Sequence, residues 1–375
     1  MDIFWGVNLM EKKTVLLIIA LILIAGAIVY LQQFSPNKTY TGTSLAPGNR
    51  TAINAEKAQK YEYAKEITDP SGFVNVDNIT IGNLIGKKVI LVDFWTYSCI
   101  NCVRTIPYLN AWYTKYHDQG LEIIGVHSPE FQFEHDINNV RAAVKKYNIQ
   151  YPVVLDNNLA TWSAYQNQYW PEEYLIDIDG FIVERNIGEG NYDTTEMEIQ
   201  SLLKERADAL GLQVNISNTT GLPANNINID YSSVGSPETY FGSARNEYLE
   251  NGQQGMNGLQ TLVRPETPLL NVLYLVGPWN FSDQYAESAG NGSVIFHYNA
   301  KNVYFVASAD NATAVRVLLD GKPISDGAGS DVSGGIAIIR DNQLYTIVQG
   351  SDYGEHILEL DIPQSGLRAY TFTFG

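Results

Sequence analysis

The spacing of apolar positions changes several times along this 375-residue chain, and each change predicts a different element. Residues 14–31, "TVLLIIALILIAGAIVYL", are apolar and carry no charge. Two near-continuous runs rich in β-branched residues, "KVILVDFW" (88–95) and "LEIIGVH" (121–127), predict strands buried on both faces. Between them Ile106, Leu109, Trp112, Tyr113 and Tyr116 recur at helical spacing. Ile137, Val140, Val144 and Tyr147 repeat that signal within 135–149. "YPVVLD" (151–156) reads as short and extended. "EYLIDIDGFIVERNIG" (173–188) reads as two strands about Asp179-Gly180, a dipeptide that tight hairpin turns favour. A last helix is predicted over 194–212. The order β-α-β-α-β-β-α, with a further strand near 72–81, implies a mixed sheet with helices on both faces.

Beyond this region the periods shorten. Residues 213–264 turn to Asn, Ser, Gly and Pro and read as a linker or a packed arm. From 265 to 375 short alternating strands separated by Gly, Asp and Asn turns predict a β-sandwich, with a second hairpin signal at Asp320-Gly321. Upstream, the polar stretch 32–65 reads as a tether. The α/β domain is therefore expected over 66–212.

The apolar run from Val15 to Leu31 is 17 residues long, at the short end of the roughly 17–25 that span a bilayer as a helix. Lys12 and Lys13 precede it and the next basic residue is Lys38. The positive-inside bias then gives a cytoplasmic tail (1–13), a single-pass anchor (14–31) and extracytoplasmic domains beyond it. "AGA" at 25–27 resembles a signal-peptide cleavage site, but the apolar run continues past it, which favours an uncleaved anchor. The formal net charge of −17 would repel phosphates and argues against a nucleic-acid partner.

Cys99 and Cys102 in "DFWTYSCINCVRTIP" (93–107) are the only two cysteines of the chain. A C-x-x-C that opens a helix after a buried strand places Cys99 where free backbone N–H groups and the helix dipole favour a thiolate. Cys102, one turn on, can attack a mixed disulfide formed at Cys99 and release the partner. That makes Cys99 the nucleophile and Cys102 the resolving thiol. A structural zinc site needs about four ligands, and the five histidines are scattered. A disulfide closing so small a loop would add little stability, and a Cys–His hydrolase needs a base that sequence does not position.

"LVDFWTYSCINCVRTIPYL" resembles the active-site segment of thioredoxin-like proteins, and in particular the extracytoplasmic thioredoxin domain of DipZ-type thiol:disulfide interchange proteins. The resemblance covers about 70–210. It resumes in "SPETYFGSAR" (236–245) and in the C-terminal region ending "AYTFTFG", which is similar to that family's carbohydrate-binding-like, jelly-roll-like sandwich. The family's multi-helix membrane conduit has no counterpart in this sequence, which offers one anchor instead. The resemblance implies a thioredoxin-like fold and a thiol:disulfide oxidoreductase whose redox element is the Cys99–Cys102 disulfide, with no other cofactor. It implies that Asp93 accepts the resolving thiol's proton, against an Asp that simply caps the strand end, and that Trp95 shields the site, where a core tryptophan fits equally. Pro171 would be the cis-proline facing the cysteines, with Trp170 as its specificity-setting neighbour. Arg104, beside Cys102, fits a thiolate partner or a solvated helix face. Protein thiols and disulfides are the implied substrates, a CcdA-like membrane protein the implied electron donor, and glycans a further ligand class for the sandwich. There Trp279, Tyr285 and Tyr298 fit either sugar stacking or the core. Two rival readings use the same residues: a thiol-dependent peroxidase in which Cys99 attacks peroxide, and a surface binding module whose cysteine pair is idle.

Overall fold

The computed structural model describes residues 51–216, 219–221, 223 and 229–375. The expected cytoplasmic tail and anchor lie outside the described residues. Among the described residues no helix is long and apolar enough to cross a membrane. Helix α1 (Thr51–Lys60) takes up part of the segment read as a tether. Its Ala, Glu, Lys and Gln residues favour a helix despite their polarity.

The first domain is built on six strands. They are β1 (Gly72–Val74), β2 (Val89–Trp95), β3 (Leu121–His127), β4 (Val153–Leu155), β5 (Glu172–Ile176) and β6 (Ile182–Ile187), in the order β1-β4-β3-β2-β5-β6. β2, β3 and β4 are mutually parallel, while β1, β5 and β6 run antiparallel to their neighbours. The helices are α2 (Ile81–Leu84), α3 (Ile100–Tyr116), α4 (Ile137–Lys146), α5 (Ala160–Ala164) and α6 (Tyr192–Leu210). Every residue of β2 is buried, as its near-continuous apolar run requires, and Asp93 is buried with it. Val89, Leu91 and Trp95 face a core shared with α3, α4 and α6, and Ile90, Val92 and Phe94 face the opposite one. Gly125 makes room on β3, since a Cβ there would lie 2.9 Å from the Trp95 Nε1 and 3.1 Å from the Tyr151 ring.

The second domain is almost all strand. β7 (Thr239–Tyr240), β8 (Gly258–Leu262), β9 (Leu273–Phe281), β10 (Ala286–Ser288), β11 (Gly292–Ala309), β12 (Thr313–Leu319), β13 (Lys322–Pro323), β14 (Val332–Ser333), β15 (Ile336–Ile339), β16 (Gln343–Ile362) and β17 (Leu367–Phe374) join in one 11-stranded sheet. β11 also pairs with β9, and a single apolar core draws on β9, β11, β12, β15, β16 and β17. A sheet that encloses one core must fold over on itself. β7 and β8 belong to this sheet, so the later part of the stretch read as an arm is domain rather than linker. Two residues pairing with β17 are too few to produce a visible alternation.

The two domains meet at the start of α3. Ile100 and Phe131 of the first domain pack with Tyr304, Val306, Leu344 and Tyr370 of the second. Arg104 is buried in the same junction. It donates to Glu189 through Nε and Nη2 at 2.5–3.0 Å and to Asn101 Oδ1 at 2.6 Å, and lies over the Tyr304 ring. It is neither a solvated residue nor the partner of a thiolate.

Candidate active site

β2 ends at Trp95, and four residues later Cys99 caps the N-terminus of α3 with extended backbone (φ −80°, ψ 118°). No side chain caps this helix end, so the Cys99 sulfur is the group placed there. Both cysteines are free thiols; Cys99 is partly exposed and Cys102 is 1% exposed. The Cys102 thiol hydrogen-bonds with Cys99, and burial first, then that bond and the charges of Cys99 and Asp93, push its pKa well up. One sulfur is thus reachable and the other is kept protonated behind it.

The Trp170–Pro171 peptide bond is cis. The Trp170 carbonyl oxygen lies 3.9 Å from the Cys99 Sγ, so the loop entering β5 forms the wall opposite the exposed thiol. The Trp170 ring packs on Trp162 at 4.4 Å and donates from Nε1 to the Ser128 carbonyl at 3.0 Å, which fixes that loop to the end of β3.

Asp93 is 1% exposed, its Oδ1 has no hydrogen-bond partner, and burial with the nearby Glu173 carboxyl raises its pKa well above the usual range. It stands directly across β2 and β5 from Glu173. Glu173 is 2% exposed, burial pushes it up to about 7, and its one hydrogen bond comes from Asn186 Nδ2 at 3.3 Å. Sequence reading missed Glu173; its signal was an acidic residue two places after Pro171 in an apolar strand. Trp95, which fitted either a shield of the site or the core, is 0% exposed and out of a substrate's reach. Burial of both faces of β2 puts its ring edge-on to His127, within the core that also holds Cys102. His127 is itself fully buried, which lowers its pKa to about 3 and keeps the imidazole neutral.

The loop 128–135 supplies another missed residue. Glu134, fully buried, accepts from Ser98 Oγ at 2.5 Å and from the backbone N–H groups of Glu130 and Phe131 at 2.6 and 2.9 Å. It thereby ties the residue before Cys99 to this loop. Glu130 accepts from Tyr240 Oη at 2.9 Å and Arg245 Nη1 at 2.7 Å, both in the 236–245 motif.

Asp177, Asp179 and Glu205 bring three carboxylates together, and the Lys57 ammonium of α1 sits among them at 2.5, 3.0 and 2.6 Å. Asp177 Oδ1 also accepts from the N–H groups of Asp179 and Phe181, which holds the turn between β5 and β6. In the second domain Trp279 and Tyr298 are core residues at 0% and 1% exposure, which removes them as sugar-stacking platforms. Tyr285 is partly buried against Tyr370 beneath Arg368.

A half-exposed thiol at a helix tip, a buried second thiol and a carboxyl beneath it on the central strand define a redox site of the thioredoxin type. The chain belongs to the thioredoxin-like thiol-disulfide oxidoreductases. The thiol-disulfide oxidoreductase ResA of Bacillus cereus is 32% identical over 134 residues, 75% of its length and 33% of this chain. YkuV of Bacillus subtilis, also a thiol-disulfide oxidoreductase, is 29% identical over 140 residues and 93% of its length. Protein DipZ of Mycobacterium tuberculosis is 35% identical over 316 residues, which cover 83% of this chain but 43% of DipZ. Residues 64–185 match the AhpC/TSA family, and residues 236–375 match the thioredoxin-like C-terminal domain family.

Proposed function

We propose that this chain is a membrane-anchored, extracytoplasmic oxidoreductase that exchanges disulfides with protein substrates through Cys99 and Cys102. The arrangement that carries the reading is the accessible Cys99 sulfur facing the Trp170 carbonyl, with Cys102 buried between it and Asp93. In the reducing direction, the Cys99 thiolate attacks one sulfur of a substrate disulfide. The S–S bond breaks, a mixed disulfide forms, and the other substrate sulfur leaves as a thiolate. Cys102 then gives its proton to Asp93 and attacks the Cys99 sulfur, releasing the second substrate thiolate. Two electrons pass from the cysteine pair to the substrate, and the pair is left as a disulfide. A CcdA-like membrane protein is the proposed source of electrons for the next turn. The substrate's backbone would lie along the Trp170–Pro171 loop.

The test is insulin and scrambled-disulfide exchange by the full chain in detergent, with Cys99→Ser and Cys102→Ser variants. Wild type turns over, the Cys99 variant is inactive, and the Cys102 variant accumulates a mixed disulfide. Absence of turnover in wild type, or rapid peroxide consumption in place of disulfide exchange, overturns the reading. Topology is checked by protease accessibility in spheroplasts, where residues after 35 are expected to be cleaved from outside.

A further inference from the structure

The resolving thiol feels the Asp93 carboxyl, and a second carboxyl, Glu173, faces Asp93 across the sheet with no place in the exchange just described. Asp93 and Glu173 face each other across neighbouring strands, both almost fully buried on the face that packs against α3 and α6. Directly opposed strand residues have Cβ atoms about 4.5–5.5 Å apart, so two ionised carboxylates there would repel strongly in a medium without water. Among the described residues neither pairs with a Lys or Arg. The remaining titratable neighbours are Cys102 from α3, Tyr151 before β4, Glu184 on β6 and Tyr192 on α6, none of them a cation at neutral pH. Asp93 Oδ1 and Glu173 Oε1 both lack a hydrogen-bond partner. No cation nearby offsets two negative charges, and the one amide bond, from Asn186 to Glu173, is long at 3.3 Å, so the pair keeps at least one proton at neutral pH.

Resting on the exchange reading above, we propose that Glu173 is a positioning residue for the resolving step, acting through Asp93, and that the two carboxyls work as one proton acceptor for Cys102. With the mixed disulfide on Cys99, the pair starts with one proton and one negative charge. Cys102 gives up its proton as its sulfur bonds to Cys99, the substrate thiolate departs, and the pair ends neutral with two protons. One proton then passes to the released thiolate or to water. Glu173 thus decides in which pH range the pair has room for that proton.

The experiment is the pH profile of insulin reduction by full-length wild type, Glu173→Gln and Glu173→Asp. Wild type loses rate on acidification with an inflection near pH 7. Glu173→Gln loses that inflection and Glu173→Asp restores it. Superimposable profiles for wild type and a folded Glu173→Gln variant overturn the proposal and leave the exchange reading intact. If wild type does not exchange disulfides at all, the function itself fails. A second measurement needs no variant: the infrared difference spectrum of oxidised minus reduced wild type carrying ¹³C-glutamate. A labelled carboxyl that changes protonation between the two states supports the role, and no labelled carboxyl signal overturns it.

Discussion

Beneath the cysteines and beside them lie two sets of acidic residues with opposite surroundings. On the sheet side, Asp93 and Glu173 are buried with few donors, and Glu173 has a single amide bond at 3.3 Å. On the loop side, Glu134 takes a hydroxyl and two backbone N–H groups, and Glu130 takes a tyrosine hydroxyl and a guanidinium. A carboxyl tied by several donors is fixed in place and serves as an anchor; one with few donors has lone pairs left over to take up and pass on a proton. The same side-chain chemistry thus builds a frame on one flank and an acid–base group on the other.

The contrast can be broken most severely at the frame. Phe131, fully buried between Phe133 and Tyr370, is the apolar counterpart of the Glu130 and Glu134 anchors. Phe131→Ala is expected to destabilise the protein by about 3–5 kcal/mol, read by urea denaturation. Asp93→Asn keeps the frame and removes the base, and should slow insulin reduction about 100-fold at pH 7. It should not lower the melting temperature. Asp93 and Glu173 both bind protons more tightly folded than unfolded. Native protein therefore takes up protons, and their contribution to stability falls as pH rises from 4.5 through about 7. An Asp93→Asn/Glu173→Gln double variant should flatten that decline in melts taken across this range. Arg245→Met strips the cation from Glu130 and should cost about 1–2 kcal/mol, a figure kept low because the Arg245 side chain is 40% exposed. Faster hydrogen exchange in residues 128–135 is the confirming measurement. The smallest effect is expected from Ser98→Ala, about 1 kcal/mol, because Glu134 retains its two backbone donors.

What the sequence disclosed follows the strength of local patterns. The buried runs at 88–95 and 121–127 emerge as β2 and β3, and the helical spacing after Cys99 emerges as α3, because burial on both faces and a 3.6-residue period leave unmistakable traces. The Cys99–Cys102 motif stood out by residue type alone, and the proline at 171 through the family resemblance. Glu173 did not, because its meaning lies in a neighbour 80 positions away across the sheet. Trp95 stayed open between shield and core for a related reason: closeness to Cys99 along the chain carries no information about which face of β2 its ring takes. Arg104 is similar, since its partner Glu189 comes from another element and its burial from another domain. Helix α1 was hidden because a polar helix held by one lysine among three carboxylates has the composition of a tether.

Ile100, the first residue after the reactive sulfur, is already claimed by the neighbouring domain through Tyr304, Val306, Leu344 and Tyr370. That flank of the catalytic turn is closed by the second domain. The reactive sulfur is thus bounded on one side by the second domain and faced on another by the backbone carbonyl that precedes the cis-proline.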